Sequence, residues 1–307
     1  MLEFEDSPNK VRAKDDASKE AAASGASEPG EKTTRAVLPR VLLQHEVVVP
    51  SRIRLLKLLP RVLLLLGALL TAYGYRHKGA LSDLSLSPSQ LSDDPTQLDI
   101  DEDPFPLRYH GTTYTLEPLA DYEFAGLVVS RNDISAFDDI YHTSDSVDVV
   151  DVCVVWGENI KPSLLSQFNF WSEPWSCNYQ TDSRTAAQQF TSHQLSNNHL
   201  LPATEGIAAQ LASIRIGDQV RIRGKLVDYY PDGNEDRRRQ SSTTRTDTGN
   251  GACEVVYVEG VNILSRGTPL AYQLWNFGIS VLLVAVLFSL LNFFVIPLSY
   301  YRSTKER

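Results

Sequence analysis

The chain of 307 residues holds only three cysteines, Cys153, Cys177 and Cys253. Three are too few for a disulfide-built scaffold, and an odd number leaves at least one thiol unpaired within the monomer. One bridge can form in an oxidising compartment, but spacing alone does not name the pair. The opening residues lack the basic segment and apolar core of a secretory signal. There is no H-E-x-x-H helix, and the acidic stretch 81–106 lacks the D-x-[DN]-x-[DN]-G spacing of a calcium loop. Positive charge is scarce where a nucleic-acid reader needs it. Residues 76–273 carry 15 Lys and Arg against 28 Asp and Glu, a balance of −13 that repels phosphate backbones. These absences exclude nucleic acid as a partner and leave no cofactor or metal expected.

What the chain does have is two long apolar runs. Residues 274–299, LWNFGISVLLVAVLFSLLNFFVIPLS, hold no charge, and a helix of about 20 residues already crosses a bilayer. Trp275 stands at one end; Tyr300 and Tyr301 stand at the other, followed by Arg302, Lys305 and Arg307. That is the interfacial pattern of a span. The earlier run, residues 52–78, is uncharged only over 62–75, and Lys57 and Arg61 must snorkel to the interface. Pro60 fits the first turn of its deep part or kinks it. An in-plane amphipathic helix is the alternative, but the charges crowd one end rather than one face. The spacing predicts transmembrane helices over 53–76 and 273–300. Basic flanks on their outer ends place both termini in the cytoplasm and the intervening domain outside it. Neither span has an acid or histidine at mid-depth; Asn292 is the one strongly polar side chain deep in the second.

Residues 1–50 read as a disordered cytoplasmic tail, 77–106 as an acidic linker and 301–307 as a basic tail. The folded region is 107–268. Residues 122–129 read as a strand, and 147–156 as another whose Val150, Val152, Val154 and Trp156 form one apolar face. Residues 204–214 read as a short helix capped by Thr204. In 216–230, Val220, Ile222 and Leu226 alternate with Arg221, Arg223 and Lys225, and 253–264 supplies a last strand. The expectation is a mainly β soluble domain, a small OB-like barrel with one or two short helices, bracketed by two transmembrane helices.

Four segments could carry chemistry. Trp171 and Trp175 lie in an aromatic run interleaved with polar residues, suited to sugar stacking, to a protein partner, or to covering one end of the barrel. His193 and His199, with His142, are the domain's polar histidines. Their spacing is not that of a helical ligand pair, and a hydrogen-bonded loop histidine explains each as well as zinc does. Residues 241–254, SSTTRTDTGNGACE, offer Arg245 and Asp247 as a pair, and Cys253 as a nucleophile with one of those histidines as base. A structured loop before an edge strand accounts for the same residues. The stripe Arg221, Arg223, Lys225, followed by Arg237, Arg238 and Arg239, suits lipid headgroups or a solvated face.

Five blocks run together along the chain: Trp156-Gly157; Asn197-Asn198-His199-Leu200-Leu201-Pro202; Gly217-Asp218 into Gly224-Lys225-Leu226-Val227; Arg245; and Asp247 through Glu254. In these the chain resembles a family of bacterial membrane-anchored proteins carrying W-G, N-x-H-L-I-P-A, G-D-x-V-x-L-x-G-x-L-V and R-x-D-T-G-x-G-A-C-E blocks. The resemblance covers about residues 122–261. It implies a bacterial cytoplasmic membrane with the domain periplasmic or at the cell surface. It brings no assigned activity and no catalytic residue, but it draws Trp156, His199, Arg245 and Asp247 together as one candidate site.

The function expected first is a non-catalytic binding or scaffold module, engaging a protein partner or envelope component through Trp156, Trp171, Trp175, His199, Arg245 and Asp247. The alternatives are a hydrolase using Cys253 with a histidine or a histidine-bound metal, and an accessory subunit of a transport or secretion complex.

Overall fold

The computed structural model describes residues 51–305 other than 83, 87, 135–146, 174 and 248–251. The tail expected over 1–50, the tip of the 301–307 tail, and His142 lie outside the described residues. Helix α1 (Ser51–His77) opens the described chain, then α2 (Pro88–Leu91), β1 (Thr96–Asp99), β2 (Phe105–Tyr109), β3 (Thr112–Asp133) and β4 (Val150–Val155). After these come α3 (Pro162–Leu165), β5 (Asn169–Glu173), β6 (Ser176–Gln180), α4 (Arg184–Gln189), β7 (Leu195–Pro202) and α5 (Glu205–Ala212). The chain closes with β8 (Gln219–Pro231), β9 (Glu254–Ser265) and α6 (Pro269–Lys305). The protein is mainly β sheet with a few short helices and a long apolar helix at each end.

Both end helices are long and apolar enough to cross a membrane, with stretches of mean hydropathy 1.6 over Leu58–His77 and 2.3 over Pro269–Phe293. They are not core helices of the domain, because Leu65, Leu69, Leu283 and Phe293 stay exposed. They pack antiparallel, with Gly67 against Leu282 and Thr71 against Gly278. A Cβ at Gly74 would overlap the Trp275 backbone, so glycine is what lets the two backbones approach there. The pairing brings the end of α1 beside the start of α6. Gly79 N–H donates to Thr268 Oγ1 at 2.9 Å, and the Lys78 ammonium lies 4.0 Å from the centre of a Trp275 ring.

Alternation organises the sheet. β3 pairs with β4 along its second half and with β8 along most of its length. β4 pairs antiparallel with β7, β7 parallel with β9, and β9 antiparallel with β8. The circuit of pairings therefore returns to β3. One side-chain parity packs Phe124, Val152, Val154, Leu200, Ile222 and Val256 into the larger core. The other contributes Leu116, Leu201, Val227, Tyr229 and Val255 to a smaller one. Helix α5 starts where expected: Ile207 N–H donates to Thr204 Oγ1 at 3.2 Å.

The segment expected to be a linker over 77–106 is instead folded onto the sheet. Leu84 and Leu91 are buried, β1 and β2 pair with β3, and Lys225 reaches Glu102 at 2.8 Å. Asp94 accepts the Trp156 indole N–H at 2.8 Å. Its acids and serines hid a sparse set of apolar anchors, of which Leu84 and Leu91 enter the core and Leu81, Leu86 and Phe105 pack against it.

Candidate functional site

The site grows out of register. Cys153 stands opposite Asn197, and Asp151 opposite His199, across the β4–β7 pair. Asn198 is beside Glu254 on β9, which puts Cys253, one residue before that strand, beside Asn197. Side chains alternate along a strand, so Asp151, Cys153, Asn197, His199 and Cys253 all emerge on one face. Three strands thus present two rows: Cys153, Asn197 and Cys253 in one, Asp151 and His199 in the next.

The side chains meet as the register requires. Asn197 Nδ2 donates to Cys253 Sγ at 3.4 Å, and Cys253 Sγ also lies 3.5 Å from the Trp175 carbonyl. On the same face, two residues further along β7, His199 Nδ1 lies 2.6 Å from Asp151 Oδ1. Both His199 and Asp151 are 1% exposed. Burial pulls the His199 pKa down, but the charge and hydrogen bond of Asp151, with help from Cys253, outweigh it and raise the value to about 9. Arg239 Nη2, 3.0 Å from Nε2, pulls the other way, because a guanidinium only donates and needs a lone pair there. A neutral ring holds Nδ1–H toward Asp151 and accepts from Arg239 at Nε2; a second proton displaces Arg239 and leaves an imidazolium paired with Asp151.

Trp175 completes the enclosure. Its ring centre is 5.4 Å from that of His199 and 4.7 Å from the Arg239 guanidinium carbon. Its backbone φ is +69, a left-handed conformation rare for a bulky residue. Above the thiol opens a cleft of about 440 Å³ lined by Trp175, Tyr179, Asn197, Arg245, Cys253 and Glu254 among others. On its far wall Arg245 Nη1 donates to Glu254 Oε1 at 2.6 Å, and Ser196 Oγ donates to Glu254 Oε2 at 2.6 Å. Burial holds the Glu254 carboxyl above the usual range, against that hydrogen bond and the Arg245 charge.

The expected residues divide. His199, Trp175, Arg245 and Asp247 gather around Cys253, but Arg245 pairs with Glu254 while Asp247 accepts from Ser242 Oγ at 2.6 Å. That second bond ties the loop through which Ser242 N–H reaches the Cys253 carbonyl at 2.9 Å. Trp156 is 0% exposed, so it anchors the core and offers no face to a ligand. Trp171 sits on the β5–β6 hairpin with its indole toward Glu173 and does not line the cleft. His193 is exposed on its own short turn. Asp151, Asn197 and Arg239 also enter the site, Arg239 from the basic stripe and Asn197 from the block that holds His199, neither of them expected in this role. The available signal for Asp151 was a carboxylate in the apolar run Val150–Val155, at the same parity as Cys153.

Asp148, Asp151 and His199 each offer a ligand atom within 4.8 Å of the others, so a cation could in principle be held there. Two contacts oppose it. His199 Nδ1 is spent on Asp151, and the positive charge beside these carboxylates comes from Arg239 on the other ring nitrogen. No family model, curated protein or solved structure matches the chain.

Proposed function

We propose that this chain is a membrane-anchored thiol enzyme that transfers or hydrolyses acyl groups through Cys253. The observation that carries the proposal is a thiol, Cys253, in the wall of the cleft, with the buried His199–Asp151 pair on the same face of the sheet behind it. A thiol is a weak nucleophile until a base takes its proton, and a base works best when a third group holds its tautomer. The neutral His199 takes the Cys253 proton on Nε2 as Arg239 releases that lone pair, while Asp151 fixes Nδ1–H and supports the imidazolium. The thiolate then attacks a carbonyl carbon, a C–S bond forms, and the leaving group departs with the proton His199 held. Water, or an acceptor nucleophile, releases the acyl group by the reverse sequence. Asn197 Nδ2, already beside Sγ, is the side-chain donor placed for the developing oxyanion.

The setting follows from coarser features. The circuit β3-β4-β7-β9-β8-β3, its one parallel pair β7–β9, and α5 between β7 and β8 support an OB-like five-stranded barrel. The two apolar helices and their basic outer flanks support a membrane hairpin with both ends cytoplasmic and the domain outside. The block resemblance supports a bacterial envelope. A pure binding module has less behind it. Trp175, one of its three expected aromatic anchors, is drawn instead onto Arg239 and His199, and Trp156 is buried in the core.

The test is acyl trapping on full-length protein in detergent, using an activated thioester and intact-mass detection. The proposal expects a single adduct on Cys253, absent in Cys253→Ala. Turnover unchanged in Cys253→Ala would sink it.

A further inference from the structure

All three cysteines of the chain meet at the same place. Cys153 and Cys177 are joined by a disulfide, with Cα atoms 5.7 Å apart, and Cys253 is the free thiol. Cys177 and Cys253 line the same cleft, whereas Cys153 is fully buried beneath it. Cys253 Sγ touches the carbonyl of Trp175, two residues from Cys177. It also touches the side chain of Asn197, directly opposite Cys153. Cys153 and Cys253 are separated by the whole of β7. Adjacent strands lie about 4.8 Å apart, so their backbones are about 10 Å apart, beyond the reach of a direct bridge. Cys177, on the hairpin that leans over both, is the sulfur each of them can share.

We infer that Cys253 and the Cys153–Cys177 bridge form a disulfide-exchange pair in which Cys177 passes between two partners. His199 takes the Cys253 proton; the thiolate attacks Cys177 Sγ along the bond to Cys153. A Cys253–Cys177 bond forms, the Cys177–Cys153 bond breaks, and the electron pair leaves on Cys153 Sγ. His199, diagonal to Cys153 across the β4–β7 pair, returns the proton to it. One disulfide replaces another, so no oxidant or reductant is consumed. The exchanged form caps the nucleophile proposed above and stores the free thiol under the hairpin. This inference rests on the same thiol and imidazole as the acyl-transfer reading, but it needs no substrate.

Disulfide mapping separates the two ideas. Full-length protein in detergent is held in a glutathione redox buffer, acid-quenched, denatured, labelled with maleimide and digested. In the wild type, label is expected on Cys153 as well as Cys253, with a Cys177–Cys253 peptide pair to match. Label confined to Cys253 would overturn the inference, whatever the acyl-trapping result. In Cys153→Ser, Cys177 is expected to pair with Cys253. Two free thiols there, in protein that still unfolds cooperatively, would overturn it equally. His199→Gln should slow the approach to equilibrium in the wild-type background by roughly a hundredfold, the low end of what a positioned base contributes. An unchanged rate would remove His199 from the step.

Discussion

Strands β4 and β7 lie side by side, and both are almost wholly buried, yet they are built from opposite materials. β4 reads VDVCVV and fills the core with valine. β7 reads LSNNHLLP and buries Ser196, Asn197, Asn198 and His199 in succession. Burying a polar group costs about 1–3 kcal/mol unless it is hydrogen-bonded. Each of the four makes a side-chain hydrogen bond, Ser196 with Glu254, Asn198 with Ser196, Asn197 with Cys253 and His199 with Asp151, while the amide oxygens of Asn197 and Asn198 find no partner among the described residues. A protein that builds a central strand this way accepts a harder folding problem. The gain is a row of oriented donors and acceptors at the sheet edge of a cleft.

If that contrast is right, damage to the two strands separates chemistry from stability. The largest effect is expected from His199→Asn on β7, a loss of about 10²–10⁴ in acylation rate, or roughly 3–5 kcal/mol of barrier. Its thermal midpoint should move little compared with its activity once pH is above about 9, where the His199 charge no longer contributes to stability. Stopped-flow acylation beside calorimetry reads both, and parallel losses would make His199 merely structural.

Next comes the pH dependence of stability. His199 has a folded pKa raised from 6.5 to about 9. The stability it contributes is fully present below about 6.5 and lost as pH rises through about 9, at most about 3 kcal/mol for this one group. Asp148, Asp151, Arg239 and Cys253 surround the ring and shape that transition. Glu254, also raised, adds a loss in the same direction at lower pH. Urea unfolding across this range should show stability falling with pH in the wild type, and falling less in His199→Asn. A flat difference between the two would contradict the assignment.

Val154→Ala on β4 is expected to cost about 1–3 kcal/mol of stability and leave acylation per folded molecule unchanged. A comparable effect concerns the residue that follows the same strand. Trp156→Phe removes the donor to Asp94 and leaves a smaller ring in a fully buried site, costing about 1–3 kcal/mol, read as a lower urea midpoint. Loss of acylation in that variant beyond its loss of folded protein would return Trp156 to the site.

The same contrast explains what could be read in advance. β4, β8, β9 and α5 announced themselves through apolar periodicity or a cap, and the two end helices through uninterrupted hydrophobicity. β7 carries polar residues on both parities over its first half, so no period-2 signal exists there, and its residues passed for a loop. The hairpin β5–β6 hid among clustered aromatics, Phe168, Phe170 and Tyr179, which stack on one another rather than alternate. Cys253, His199, Arg245 and Asp247 were legible as chemistry-bearing residues. Their arrangement was not, because it depends on β7 lying between β4 and β9, and that is a fact of pairing rather than of spacing.

The hydrogen bond from Gly79 to Thr268 closes the domain at its base, where α1 ends and α6 begins. Under the proposed membrane hairpin, a domain tied down through both of its ends is hard to shed. One proteolytic cut anywhere between the two helices leaves each fragment still carrying its own anchor, and the Cys153–Cys177 bridge staples together fragments cut between those residues. Release into the surrounding fluid takes a cut near each helix. Under the proposed arrangement, the thiol therefore works only at the membrane surface on which it was made.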